Sequence, residues 1–366
     1  MNHNAEPVKE RVLLVNVIVG RRRRADVIDS LTELERLADT AGATVIGSIT
    51  QRRIRPDAGF FIGEGKLEEL QLACRKANAN LIIFDNELSA VHVNNLDLSL
   101  GIKVIDRTEL ILQIFARRAH SAEAQTQVEL AQLQHLSSRI PVSAKQQRFQ
   151  GGIGMRGPGE RPFQLHKAPI LARITNLKRK LKVIQKRRLR TSKRRPWPVV
   201  SLIGYTNAGK STLMNALANT NAYVDNRLFA TLDTKSRIVY LPDKRLMMLT
   251  DTVGFIRHLP HGLVASFRST LEEIREANLL LIVADASHPY VMEHLNVVRA
   301  TLETMNASTM HSLLLLNKID CESAKTAWNK LTAAFPDAIS ISALHHDGLS
   351  LLKERIADSI TAMDGV

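Results

Sequence analysis

The chain has 366 residues, of which 45% are hydrophobic, 23% charged and 4% aromatic, and its formal net charge is +14. That length suffices for two or three domains with cores of their own, and the balance excludes a disordered, collagen-like or disulfide-stapled chain. The longest apolar runs, such as Leu279–Ala284, fall far short of the roughly 20 residues needed to cross a bilayer, which excludes a membrane-spanning protein.

The N-terminus, Met1–Glu10, lacks an apolar signal-peptide segment, and the two cysteines, Cys74 and Cys321, stand far apart without metal-ligand spacing. Both features point to a reducing, cytoplasmic setting. The surplus of positive charge calls for a polyanionic partner, nucleic acid or a membrane surface.

In chain order, Val12–Val19 reads as a strand and Asp26–Ala41 as a helix. Thr44–Ile49 and Phe60–Ile62 read as strands, Lys66–Asn78 as a helix, Leu81–Phe84 as a strand, Val91–Leu100 as a helix and Ile102–Ile105 as a strand. This alternation predicts a small α/β domain with a mostly parallel sheet over residues 1–107. Gly63-Glu64-Gly65-Lys66 follows a strand and precedes a helix, but it lacks a full phosphate fingerprint and reads as a turn. Arg21-Arg22-Arg23-Arg24 suits a solvated loop as well as a nucleic-acid contact.

From Thr108 to about Ile140 the periodicity predicts one long helix. The glycine-rich stretch Gly151–Gly159 then breaks any helix. A second helix is expected from Pro169, with Ile170, Ile174, Leu177, Leu181 and Ile184 forming a heptad seam. Residues 108–195 therefore read as a long antiparallel helical hairpin with a glycine loop at its tip. Its second helix carries Lys178, Arg179, Lys180, Lys182, Lys186, Arg187, Arg188, Arg190, Lys193, Arg194 and Arg195, and no acidic residue occurs from Lys167 to Arg195. A solvated face mixes signs; this one does not, which favours a nucleic-acid contact. Arg156 and Arg161 on the glycine loop fit the same reading.

Residues 196–366 carry the chemistry. The apolar run Pro198–Ile203 leads into Gly204-Tyr205-Thr206-Asn207-Ala208-Gly209-Lys210-Ser211, and Thr212 opens a helix. Strand, G-x-x-x-x-G-K-S and helix in that order form a phosphate-binding loop, or P-loop: backbone N–H groups cradle phosphate, Lys210 reaches the outer phosphates, and the Ser211 hydroxyl ligates Mg2+. Asp251-Thr252-Val253-Gly254 follows the strand Leu246–Leu249, so that Asp251 holds the Mg2+ shell and the Gly254 N–H senses the γ-phosphate. Between them, in Phe229-Ala230-Thr231-Leu232-Asp233-Thr234, a threonine can close on Mg2+ and γ-phosphate, ordering with GTP and relaxing with GDP. Thr231 is the first choice and Thr234 the rival.

Asn317-Lys318-Ile319-Asp320 follows Leu313–Leu316. The Asp320 carboxylate can accept from both N1–H and the exocyclic amine of guanine, a pair that adenine cannot offer. Ser342-Ala343-Leu344 is placed to reach the guanine carbonyl through a backbone N–H. These motifs define an α/β fold with a P-loop GTPase domain, preceded by the small parallel domain and the hairpin, whose substrate is GTP with Mg2+. Ras-like GTPases carry a water-orienting glutamine after the motif glycine; here the residue is Phe255, so intrinsic hydrolysis is expected to be slow. Asn207 is a candidate K+ ligand that would substitute for an arginine finger.

The stretches Gly63–Leu70, Ile83–Leu88, Val104–Leu112, Gln127–Leu133, Gly151–Glu160, Phe229–Asp233 and Asp251–Ile256 resemble the signatures of HflX-type GTPases, and the match covers nearly the whole chain. A monomer is expected, and the resemblance implies a GTPase that binds the large ribosomal subunit, with hairpin and glycine loop against ribosomal RNA near the peptidyl-transferase region. It also implies slow intrinsic turnover stimulated by the ribosome, and splitting of stalled or idle ribosomes under stress. Two departures stand out: Arg161–Pro169 replaces the family's acidic continuation, and the sequence stops at Val366 without the small C-terminal domain many members carry. Two other readings are a GTP-switched module that remodels free RNA and a metabolic P-loop kinase; the guanine motif argues against the kinase.

Overall fold

The computed structural model describes residues 10–20, 23–139, 160–192, 196–220, 227–229, 231, 233–257 and 274–364. The glycine loop with Arg156, and Arg21 and Arg22 of the arginine run, lie outside them, as do the side chains of Arg161, Arg188, Arg190 and Lys193–Arg195. The chain divides into two compact units, one of residues 1–117 and 125–181, the other of 118–124 and 182–366.

In the first unit, β1 (Arg11–Val19), β2 (Thr44–Arg53), β3 (Leu81–Phe84) and β4 (Lys103–Asp106) form a parallel sheet in the order β2-β1-β3-β4. Helices α1 (Arg24–Thr40), α2 (Glu64–Ala77) and α3 (Ala90–Leu100) connect the strands. Val15, Val17, Ile82 and Phe84 from the strands pack with Leu70 of α2 and Leu96 of α3. Parallel strands are buried on both faces, which is why β3 reads as an unbroken apolar run and Val12–Val19 of β1 is interrupted only at Asn16.

Phe60–Ile62 is not a strand. Asp57 Oδ1 accepts from the N–H groups of Gly59 and Phe60, at 2.8 and 3.0 Å, and closes a turn there. The Gly63 N–H donates to the Gln51 side chain at 3.0 Å, so Gly63–Lys66 opens α2 as an ordinary turn.

Buried charge gathers where the strand order reverses, between β1 and β3. Asp85, just after β3, accepts from Asn16 Nδ2 at 2.6 Å, Ser30 Oγ at 2.6 Å and Arg107 Nη1 at 2.7 Å. Arg107 also pairs with Glu33. A buried guanidinium flanked by two carboxylates is stable only because each charge is hydrogen-bonded.

The single long helix expected from Thr108 is two helices, α4 (Arg107–Arg118) and α5 (Ala122–Arg139). The break falls at Ser121, whose Oγ accepts from the Ala124 N–H at 3.0 Å and caps α5. The next helix, α6 (Glu160–Ser192), begins before Pro169 and carries that proline inside it, at the cost of one backbone hydrogen bond. Leu130 of α5 packs with Ile174 and Leu177 of α6, with Leu133, Ile170 and Leu181 beside them. Arg173 meets Glu129 through two hydrogen bonds of 2.6 and 3.0 Å. Lys178, Arg179, Lys180, Lys182, Lys186 and Arg187 are all exposed.

The second unit holds a six-stranded sheet in the order β10-β9-β8-β5-β7-β6. Its strands are β5 (Val199–Gly204), β6 (Lys235–Tyr240), β7 (Leu246–Asp251), β8 (Leu279–Asp285), β9 (Ser312–Asn317) and β10 (Ile339–Ser340), and only the edge strand β6 is antiparallel. The helices are α7 (Lys210–Ala218), α8 (Val291–Thr304), α9 (Glu322–Ala334) and α10 (Leu349–Asp364). Leu202, Leu213, Leu249, Leu281, Leu315, Leu352 and Ile356 belong to one buried cluster joining sheet, α7 and α10. Among the described residues no helix is long and apolar enough to cross a membrane.

The α5–α6 seam is thin, so each buried leucine in it counts. Leu177→Ala is expected to destabilise the first unit by about 2–4 kcal/mol, read as a lower urea midpoint of its unfolding.

Candidate functional site: a phosphate loop and its guanine clamp

The site is built at the carboxyl ends of β5, β7, β8 and β9, where parallel α/β sheets leave a crevice. Residues 204–209 turn from β5 into α7. Asn207 stands exposed at φ 60°, in the left-handed region that asparagine tolerates. Gly209 has φ 93°, and a Cβ there would collide with the amide of Asn317. At Gly254 a Cβ would lie 2.9 Å from Thr206 Cα and 3.0 Å from Lys210 Nζ. Only glycine permits these two close approaches.

Lys210 is buried and donates to the carbonyls of Gly204, at 3.1 Å, and Tyr205, at 2.8 Å. Burial lowers its pKa to about 8, against the opposing pull of Asp251. Three oxygens meet beside it. Ser211 Oγ donates to Asp251 Oδ2 at 2.6 Å, Thr231 Oγ1 lies 3.1 Å from the same oxygen, and the two hydroxyls are 3.0 Å apart. Among the described residues the buried Asp251 Oδ1 has no hydrogen-bond partner. A carboxylate with a spare oxygen and two hydroxyls is the hard donor set that suits Mg2+. Thr231 is thus brought to Ser211 and Asp251. Thr252 instead donates to the Leu202 carbonyl at 2.7 Å, so its side chain serves the strand end. Val253 is half-buried between them and Phe229 is buried, with φ 56°.

Phe255 is 1% exposed and packs with Val199, Ile203 and Ile274. Its ring points into the core. The backbone holds it there: Thr206 N–H donates to the Phe255 carbonyl at 2.7 Å, and Phe255 N–H to the Gly204 carbonyl at 3.1 Å.

The guanine motif meets the phosphate loop directly. Asn317 Nδ2 donates to the Ala208 carbonyl at 2.8 Å, and Asn317 Oδ1 accepts from the Ala343 N–H at 3.0 Å. Lys318, at φ 65°, pairs with Asp285 at 2.6 Å. Asp320 Oδ1 accepts from Ser342 Oγ at 2.6 Å. That bond is the main reason its carboxyl sits below the ordinary value, so it stays ionised into acid. Leu344 is exposed beyond the motif.

Sequence reasoning missed two supports. Asp285 closes the apolar run of β8, and a lone carboxylate at a strand end was the available signal. Tyr205 stacks on His294 with ring centroids 3.7 Å apart, and its hydroxyl accepts from the Arg257 N–H at 2.8 Å. No local pattern announces a pairing 89 residues away.

A phosphate loop, an oxygen cluster and an Asn-Lys-x-Asp clamp on one parallel sheet define a P-loop GTPase. Comparison with known proteins agrees. The family model "50S ribosome-binding GTPase" matches residues 199–318, "GTP-binding GTPase N-terminal" matches 28–116, and "GTP-binding GTPase Middle Region" matches 118–195. GTPase HflX of Caldanaerobacter subterraneus subsp. tengcongensis is 44% identical over 352 residues, 95% of this chain and 80% of the relative. GTPase HflX of Escherichia coli (strain K12) is 43% identical over 315 residues, 85% of this chain and 73% of that one. The crystal structure of SsGBP in complex with GDP shares 25% identity, with a TM-score of 0.52, covering 96% of this chain and 99% of that chain. The chain belongs to the GTPase HflX family. It is a GTP hydrolase.

Phosphate beside Lys210 favours the ammonium form. With an empty-site pKa of about 8, nucleotide binding at that pH is expected to take up about half a proton and much less at pH 6.5. The folded pKa lies below the ordinary lysine value, so this residue makes the nucleotide-free protein more stable as pH rises through about 8. Calorimetric titrations in buffers of different ionisation enthalpy measure the uptake.

Proposed function

We propose that the protein binds the large ribosomal subunit in its GTP state and acts as a dissociation or rescue factor, hydrolysing GTP to GDP and phosphate. The observation that carries this reading is the family match of residues 199–318 to a 50S ribosome-binding GTPase, joined to an α6 face whose described charges are all basic. Such a face suits the phosphates of ribosomal RNA.

In this reading the backbone N–H groups of Gly204–Ser211, with Thr212 in the first turn of α7, hold the phosphates, and the Lys210 ammonium lies against the outer ones. Ser211 and Thr231 would be the metal ligands, with Asp251 holding the shell, and a bound Mg2+ would neutralise phosphate charge there. Gly254 offers its N–H to the γ-phosphate, and with Thr231 and Lys210 it makes up the catalytic set. Phe229, Thr252 and Val253 shape the walls. Asn317, Lys318 and Asp320 select guanine, and Ser342-Ala343-Leu344 faces its carbonyl edge.

Phe255 lies in the core and cannot orient water, so acceleration comes from outside the loop. The ribosome is one source; K+ held by the exposed Asn207 is the other. The protein works as a cytoplasmic monomer. A second reading, supported by the same basic face, is a GTP-switched module that remodels protein-free RNA.

With a non-hydrolysable GTP analogue the protein is expected to pellet with large subunits and with GDP to stay in the supernatant; no GTP-dependent pelleting refutes the ribosomal role. GTP hydrolysis is expected to rise at least tenfold on adding purified large subunits, about 1.4 kcal/mol of barrier. A rate indifferent to replacing K+ by Na+ removes K+ from the account.

A further inference from the structure

The carboxylate of Asp233 is committed to a place the nucleotide reading does not use. Its Oδ2 accepts from the N–H groups of His120 and Ser121, at 3.0 and 3.1 Å, and its Oδ1 accepts from Ser121 Oγ at 2.5 Å. The Ser121 hydroxyl is at the same time the acceptor for the Ala124 N–H at 3.0 Å. One hydroxyl thus donates to Asp233 and accepts from the first turn of α5. The carboxylate also satisfies N–H groups just ahead of that helix, where negative charge is favoured. Residues 118–124 belong to the same compact unit as the GTPase domain, although most of α5 does not.

Asp233 lies two residues after Thr231, whose hydroxyl stands 3.1 Å from Asp251. The chain between them is too short for one to move far without the other: two residues span at most about 7 Å. Thr231 is therefore held from two sides, by Asp251 and Ser211 in the phosphate site and by the α5 cap through Asp233.

We infer that Asp233 is a positioning residue for GTP: it anchors the Thr231 loop on the His120–Ser121 cap, so that the first turn of α5 is ordered when Thr231 engages the γ-phosphate and loosened when it does not. The inference rests on the reading of Thr231 as the γ-phosphate-sensing ligand. It deepens that reading by naming the element that registers the nucleotide: the start of the helix that leads into the basic hairpin.

Hydrogen exchange over residues 118–124 of the full chain is the test, in Mg2+ with a non-hydrolysable GTP analogue or with GDP. Exchange of this segment is expected to slow about tenfold with the analogue relative to GDP, the size that one hydrogen bond of about 1.4 kcal/mol gives. In Asp233→Ala the two nucleotides are expected to give equal exchange, with analogue affinity reduced about tenfold and GDP affinity unchanged. Ser121→Ala removes one of the same bonds from the other side and is expected to act in the same direction, more weakly. Equal exchange in the unaltered protein overturns the inference, and so does an Asp233→Ala variant that loses GDP and analogue alike, as a merely structural residue would. Thr231→Ala separates the two failures. If it discriminates between the nucleotides as the unaltered protein does, the Thr231 reading falls and this inference with it. If it loses that discrimination while Asp233→Ala keeps it, only the positioning role falls.

Discussion

One buried carboxamide, that of Asn317, sets the geometry of the nucleotide site. Its NH2 group binds the Ala208 carbonyl in the phosphate loop and its oxygen binds the Ala343 N–H. Three segments distant in sequence are thereby fixed at hydrogen-bond distance around one side chain. An amide is the right group, because it donates from one end and accepts at the other in a single plane. The same contact accounts for Gly209: the Asn317 amide occupies the space a Cβ would need. The remaining bonds extend outward from this point, through Lys318 to Asp285 and through Asp320 to Ser342. The residues read as phosphate contacts and those read as base contacts are thus joined by hydrogen bonds rather than standing as separate clusters.

Charge is handled in two different ways. In the first, Arg107 is sealed among Asp85 and Glu33, and Arg139 reaches Asp106 and Glu109, so cations are matched one by one inside the protein. Along α6 the charge lies at the surface: Arg173 meets Glu129 in an exposed pair, and Lys178, Arg179, Lys180, Lys182, Lys186 and Arg187 are exposed. Desolvated charges demand partners, whereas solvated ones cost little and act at a distance. Net charge alone cannot tell these uses apart; burial does.

Much of this was legible in the sequence, for an identifiable reason. The GTPase motifs are fixed by chemistry that tolerates few substitutions, so Lys210, Ser211, Asp251, Asn317 and Asp320 could be named from spacing, and the parallel strands from their apolar runs. What escaped depends on partners far along the chain. The helical periodicity runs straight through residues 119–121, yet the chain breaks there, where Ser121 caps α5 and Asp233, 112 residues later, binds the cap. Phe60–Ile62 has the composition of a strand, but Asp57 turns the backbone first. Pro169 reads as a helix start, and α6 nevertheless begins nine residues earlier, at Glu160. Tyr205 reads in the sequence only as a position of the phosphate loop; its stacking on His294 depends on a residue 89 positions away.

The inward ring of Phe255 limits how this enzyme could be altered. A side chain able to steer water at that position would have to be polar, and it would then lie unsolvated among Val199, Ile203 and Ile274, leaving a void where the ring had been. A polar, water-steering side chain and a filled core are thus opposed at a single residue. On the reading proposed above, a water-orienting group would have to come from elsewhere in the fold or from another molecule, because the packing around Phe255 leaves no room for one.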